Sequence, residues 1–274
     1  MDAVELARSL AHGGRIHEFG TGSNRTFRIF RGQTPLVLKV YSSPAAARRE
    51  ARAFEALAGL EGLPEVVERA ETDDLTWVML TDPGQWTLDS LPESPSAARK
   101  AGAILKALHS MGDAALTNLS GGMTPEQIAA DYTSLFQRIE RYRGRLSMGA
   151  DIIEAARRAP APRSSKATPS HANPRPEKFH VDDQGAVTLM DWAWATMAPP
   201  EWDFSLAFWT TSRQVGDRAA QALAEGYGAA LGERDLAPWV VYHIGSFLLR
   251  EAETTSGRLD NLSPLIDEMA ANLV

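Results

Sequence analysis

One run of residues constrains the fold of this chain more than any other. It reads His171-Ala172-Asn173-Pro174-Arg175-Pro176-Glu177-Lys178-Phe179-His180-Val181, passes a polar turn at Gln184-Gly185, and continues Val187-Thr188-Leu189-Met190-Asp191-Trp192. It closes on Pro199-Pro200-Glu201-Trp202-Asp203. Two short apolar segments around a Gly-bearing polar turn spell a hairpin. Titratable or amide side chains crowd both sides of it.

The N-terminal part reads as strands followed by a helix. Residues 16–40 hold two strands around Gly20-Thr21-Gly22-Ser23-Asn24, where small residues let backbone N–H groups approach an anion. Leu36-Val37-Leu38-Lys39-Val40-Tyr41 is a strongly apolar strand with one Lys inside it. Such a Lys is unusual without a partner. Ser43 and Pro44 supply an N-cap and a first helical residue for a helix over 45–58 that carries Glu50. Trp77-Val78-Met79-Leu80-Thr81-Asp82-Pro83-Gly84 runs an apolar strand into a turn, and 97–111 has helical apolar spacing through Ile104, Leu105, Leu108 and Met111.

Taken together these residues resemble the aminoglycoside phosphotransferase and choline kinase family, which shares the protein-kinase-like fold. That family carries His-Gly-Asp, four variable residues, Asn, a short hairpin, Ile-Asp-Trp, and a later Asp, here Asp203. The resemblance implies an α+β, bilobal fold. Residues 1–82 would form a small antiparallel-sheet lobe of nucleotide-binding type with one helix, and residues 83–274 a mainly helical lobe for the catalytic loop and acceptor. It implies ATP and magnesium as cofactors and a transferase activity. Lys39 and Glu50 would pair facing the cleft, Gly22 and Ser23 would face phosphates, and Leu80 and Asp82 would lie at the hinge. Asn173 takes the catalytic position, Asp191 the metal position, and Asp203 the brace of the catalytic loop.

Three departures surround that loop. Asn173 replaces the Asp that accepts the proton of the attacking hydroxyl, and an amide cannot take it. Lys178 replaces the metal-binding Asn, and an ammonium offers a divalent cation no oxygen. As both Lys178 and Asp191 sit at former metal-ligand positions, they are expected to approach each other. The segment 166–170, Lys-Ala-Thr-Pro-Ser, is a poor strand because Pro removes a donor. The reading is therefore a degenerate, pseudokinase-like protein that acts by binding a protein or peptide partner, as a subunit of a natural-product or modified-peptide biosynthetic complex. In that reading nucleotide binding is weak and little helped by magnesium. The alternative is an active ATP-dependent phosphotransferase on a hydroxyl of a small molecule or peptide with altered machinery.

Composition sets the outer limits. Of 274 residues 44% are hydrophobic and 23% charged, as in a globular protein, and no apolar run nears the roughly 20 residues that cross a bilayer. There is no cysteine, which removes disulfides and thiolate chemistry, and the acidic opening Met1-Asp2-Ala3-Val4-Glu5 is no signal peptide; a cytoplasmic location is expected. Twenty-eight basic against 35 acidic residues give a net charge of −7, unlike a general nucleic-acid binder. Arg138, Arg141, Arg143 and Arg145, then Arg157, Arg158, Arg163 and Lys166, read as a solvated face before a patch for an anionic partner. Trp192, Trp194, Trp202, Phe204, Phe208 and Trp209 read mostly as core, with some lining an acceptor pocket. Glu201, Glu251 and Glu253 are acidic candidates for a cationic acceptor.

Overall fold

A computed structural model of the chain describes residues 2–19, 24–72, 74–91, 94–112, 119, 122, 124–163, 166–228 and 233–273. Helix α1 (Ala3–Leu10) leads into strands β1 (Ile16–Phe19), β2 (Arg25–Arg31) and β3 (Thr34–Val40), helix α2 (Pro44–Ala56), and strands β4 (Val66–Glu71) and β5 (Thr76–Thr81). The strands form one antiparallel sheet in the order β1-β2-β3-β5-β4. Strand alternation sorts its side chains. Phe27, Ile29, Leu36, Leu38, Val40, Trp77 and Met79 pack with Ala3, Leu6 and Ala7 of α1 on one face. Thr26, Arg28, Val37, Lys39 and Leu80 line a cleft on the other. Lys39 thus faces the cleft because its neighbours in β3 must face the core.

The small lobe holds a second helix that the sequence reading did not include. Helix α1 is capped by Asp2, which accepts from the Val4 and Glu5 amides, while Glu5 accepts from the Asp2 amide. Helix α2 starts as read: Ser43 caps the Ala46 amide at 3.3 Å and Pro44 is the first helical residue.

Beyond the sheet lie β6 (Trp86–Thr87), α3 (Pro95–His109), α4 (Pro125–Glu140), α5 (Ala150–Arg158), β7 (Thr168–Ser170), β8 (Phe179–Val181), β9 (Val187–Leu189) and β10 (Thr196–Ala198). Helices α6 (Pro200–Gln214), α7 (Asp217–Tyr227), α8 (Glu233–Thr254) and α9 (Ser263–Ala271) complete the chain. Strands β6-β8-β9 form one small sheet and β10-β7 another. The hairpin of β8 and β9 turns at Gly185, which has φ +71°, and Asp182 accepts the amides of Gln184 and Ala186 across the turn. One core joins the lobes, running from Tyr41, Leu57 and Leu80 to Leu105, Phe179, Trp192 and Phe204; a second packs α4, α8 and α9. The architecture is the bilobal one: an antiparallel-sheet lobe and a helical lobe.

Two expectations are corrected. The segment 168–170 does form a strand, pairing antiparallel with β10 so that Pro169 lies opposite Met197. A two-stranded ladder has only edges, so the missing Pro169 N–H is tolerated, and the Ser170 hydroxyl donates to Ala198 O at 3.1 Å. The arginines from 138 to 145 do not share one helix, because α4 ends at Glu140. Arg138 pairs with Glu253, Arg143 with Glu140 and Arg158 with Glu154, and Arg145 caps the carbonyls of Ala252, Thr255 and Gly257. These pairs stay largely exposed, in keeping with a solvated face.

Candidate active-site cleft

Four charged side chains from separate elements meet in the interlobe cleft. Lys39 Nζ lies 2.6 Å from Glu50 Oε2 and 2.8 Å from Asp191 Oδ1. Lys178 Nζ lies 2.7 Å from Asp191 Oδ2. The other oxygen of Glu50 accepts the Trp192 amide at 3.0 Å, tying α2 to the segment after β9. Asp191 itself holds φ +73°, ψ +59°, a left-handed conformation rare outside glycine. The expected Lys39–Glu50 pair and the expected approach of Lys178 to Asp191 are both present. Burial would raise the Asp191 carboxyl, but the two ammoniums hold it well below the usual carboxylate range. Burial likewise opposes the Lys39 charge, and Glu50 and Asp191 outweigh it, so the ammonium is held above its ordinary range.

The loop before β8 is anchored from behind. Asp203 in the first turn of α6 is fully buried and accepts the His171 amide at 2.5 Å and the Ala172 amide at 2.8 Å. His109, to which no chemistry was assigned, lies 3.4 Å from the same carboxylate and 2.8 Å from the Tyr227 hydroxyl. Ala172 takes φ +65°, where the family pattern has Gly. His171 Nε2 bonds Met190 O at 2.9 Å and its Nδ1 accepts the Asn173 amide at 3.3 Å. That pattern requires the neutral ring, and burial holds its pKa below the ordinary value. Asn173 Oδ1 accepts from Arg175 Nε at 3.0 Å.

Lys39, Glu50, Lys178 and Asp191 border a cleft cavity of about 860 Å³, lined also by Val37, Leu80 and Met190. Leu80 lines it, whereas the Asp82 carboxylate turns to Arg28 at 2.7 Å and to the Gly84 amide at 3.0 Å. Gly22 and Ser23 lie outside the described residues. A resident magnesium does not fit the charges present. Both Asp191 oxygens are held by ammoniums, and Lys178 brings a cation where an oxygen ligand is needed. Two further residues line the cleft, of which Glu177 had been passed over. Glu177 pairs with Arg175 at 3.3 Å through one oxygen, and its other oxygen is buried with no hydrogen-bond partner among the described residues. Trp194, one of an aromatic group read mostly as core with some members lining a pocket, is 63% exposed at the cavity wall with the Arg49 guanidinium 5.7 Å above its ring.

A second cavity of about 350 Å³ is lined by Asn173 and walled by Trp202, Trp209 and Phe247. Arg175 borders both cavities. None of Glu201, Glu251 and Glu253 lines it, and Glu253 is taken by Arg138, so the acidic acceptor candidates are not brought to this pocket. Among the described residues no helix is long and apolar enough to cross a membrane.

A cleft between a β-sheet lobe and a helical lobe, with a strand Lys paired to a helix Glu, invites comparison with known folds. The macrolide 2'-phosphotransferase MphH from Brachybacterium faecium is similar over 98% of this chain and 97% of its own, at 19% identity and a TM-score of 0.66. A thermostable mutant of aminoglycoside phosphotransferase APH(4)-Ia, in ternary complex with AMP-PNP and hygromycin B, is similar over 100% and 97%, at 16% identity and 0.69. A choline/ethanolamine kinase family protein from Mesorhizobium loti is similar over 100% and 94%, at 17% identity and 0.64. At these identities the likeness shows a shared fold. No curated protein matches the sequence. The profile of the phosphotransferase enzyme family matches residues 16–239, from β1 into α8, a span that holds the whole charged cleft, and the chain belongs to that family.

Proposed function

We propose that this chain is a phosphotransferase-fold protein that works mainly by binding. Lys39 and Lys178 would receive the phosphates of a nucleotide such as ATP without a resident metal, and a protein or peptide partner would be the second ligand. The observation that carries this reading is Asp191, with one ammonium at 2.8 Å and another at 2.7 Å. A carboxylate so occupied is a poor metal ligand, and Asn173 at the catalytic position cannot accept a proton. Loss of general-base catalysis alone costs on the order of 10²–10⁴-fold. The frame formed by Lys39, Glu50 and Asp203 persists, which fits a fold kept for its shape. The test is ATP hydrolysis and transfer with magnesium by the native chain and by an Asn173→Asp, Lys178→Asn double variant. The native chain should be silent and the double variant should gain at least ~10²-fold. Magnesium-dependent native turnover of about 1 s⁻¹ or faster, abolished by Asp191→Ala, would refute the reading.

A second reading, an active phosphotransferase on a hydroxyl, is favoured by Glu177. Its partnerless carboxylate oxygen lines the cleft four residues after Asn173 and would supply a relocated base. The fold neighbours whose names are those of phosphotransferases support it too. Here native turnover would be measurable and lost in Glu177→Gln.

A further inference from the structure

The cavity lined by Asn173 has a charge opposite to the molecule's own. The chain carries −7 overall, yet the pocket is lined by three arginines, Arg175, Arg213 and Arg250, and by no carboxylate. Flat apolar surface is offered by Trp202, Trp209 and Phe247 with Leu206 and Leu265. The uncharged polar groups of Asn173, Thr210, Gln214, His243 and Ser246 complete the wall. The arginines are only partly neutralised. Arg213 is paired with Glu268, which also accepts from the Trp209 ring N–H at 2.6 Å, and Arg175 shares Glu177 at 3.3 Å. Arg250 is the freest, with Glu251 at 3.8 Å, half its side chain exposed, and its guanidinium 5.2 Å over the Phe247 ring.

From this geometry we infer that the pocket takes a small molecule with an anionic group on a planar apolar body, an aromatic carboxylate in the simplest case. The guanidiniums of Arg250 and Arg175 receive the anion by paired N–H donation, and the indole and phenyl faces receive the flat part. A cationic amine would meet three arginines whose carboxylate partners, Glu268, Glu177 and Glu251, lie outside the lining, so it is the class the pocket disfavours. Arg175 lines both this pocket and the larger cleft, and Asn173 lines the pocket beside it, so a ligand held by Arg175 lies near Asn173. This goes beyond the proposed function by assigning a small-molecule ligand in addition to the nucleotide and the protein or peptide partner, and its binding does not rest on that reading.

The experiment is a titration of the full chain, without nucleotide, with 2-naphthoate, 2-naphthamide and 2-naphthylmethylamine, read by calorimetry and by tryptophan fluorescence. The naphthoate should bind at least ~10-fold more tightly than the amide, and the amine most weakly, as a charge-assisted pair is stronger than a neutral hydrogen bond. In Arg250→Gln the naphthoate affinity should fall ~10-fold while the amide is unchanged, and Arg250→Lys, which keeps the charge but loses the fork, should recover only part of it. Thermal midpoints matching the native chain would establish that the variants fold. Equal affinity for the three compounds, preference for the amine, or no binding of any of them would overturn the inference. Because no nucleotide is present, rapid turnover on ATP would refute the binding-protein reading and leave this result untouched.

Discussion

The Asp191 carboxylate has two oxygens and each faces an ammonium, Lys39 on one side and Lys178 on the other. Replacing Lys178 by Asn removes one and presents an amide oxygen in its place. Lys178→Asn should therefore acquire a magnesium-dependent gain in ATP affinity of ~10-fold or more, measurable by calorimetry, that the native chain lacks. The approach of Lys178 to Asp191 was legible, because a Lys at a metal-ligand position demands a counter-charge; Lys39 was read as paired with Glu50, and its second contact, with Asp191, was not legible. Glu177 was not legible: only the loop's path shows that one of its oxygens is buried and unpaired. Buried histidines set a pH dependence. His243, against the Trp202 carbonyl at 3.1 Å and the Ser205 hydroxyl at 3.0 Å, is pushed by burial from 6.5 down to about 4, and His171 shifts in the same direction. Their folded pKa values lie below the unfolded ones, so the unfolded chain binds more protons in this range. Their contribution is full above pH 6.5 and is lost as pH falls toward 4, on the order of 3 kcal/mol for His243. Thermal midpoints followed across that window should fall, and a midpoint unchanged down to pH 4 would contradict it.

Helices α3 and α7 pack at backbone distance because each offers a glycine to the other. A Cβ on Gly102 would lie 2.0 Å from Leu223 O, and one on Gly226 would lie 1.8 Å from Arg99 O. Neither neighbour is a side chain that can turn away. Gly226→Ala should cost ~3 kcal/mol, an overpacking penalty, and lower the thermal midpoint by roughly 6–12 °C in a chain of this size. This interface carries Tyr227 against His109, and His109 against Asp203, so it bears on how firmly the 171–173 loop is held. Asp203 offers a second test. Asp203→Asn leaves one acceptor for two amides and should destabilise by about 2 kcal/mol in chemical denaturation. Elements with a strong local signal were legible: β3 by its apolar run, α2 by Ser43 and Pro44, the hairpin by its turn. Strand β7 was missed because Pro169 is a poor strand residue in isolation, and only its partner β10 makes an edge ladder of it. Helix α1 was missed although Asp2 and Glu5 form a capping box, since those residues had been weighed only against a signal peptide.

At the scale of the whole molecule, the bilobal fold was legible because its marks lie far apart in the chain yet agree with one another. Lys39, Glu50 and Asp191 come from both lobes and converge on one cleft, and Asp203 holds the 171–172 backbone from behind. The character of the pocket lined by Asn173 was not legible. It depends on which charged residues of α6, α8 and the 171–178 loop share a wall, and the acidic candidates chosen from sequence turn elsewhere, while Arg175, Arg213 and Arg250 face inward. The cleft and this pocket meet at Arg175, so the molecule has two adjoining sites of like, positive character within an acidic protein. The most direct test of the central claim, that the Lys178 ammonium stands where the metal would act, is calorimetric titration of the native chain with ATP in the presence and absence of magnesium. The expected result is weak binding whose affinity changes by less than about threefold, a difference below ~1 kcal/mol. A magnesium-dependent gain of a hundredfold or more, roughly 2.7 kcal/mol, would contradict it.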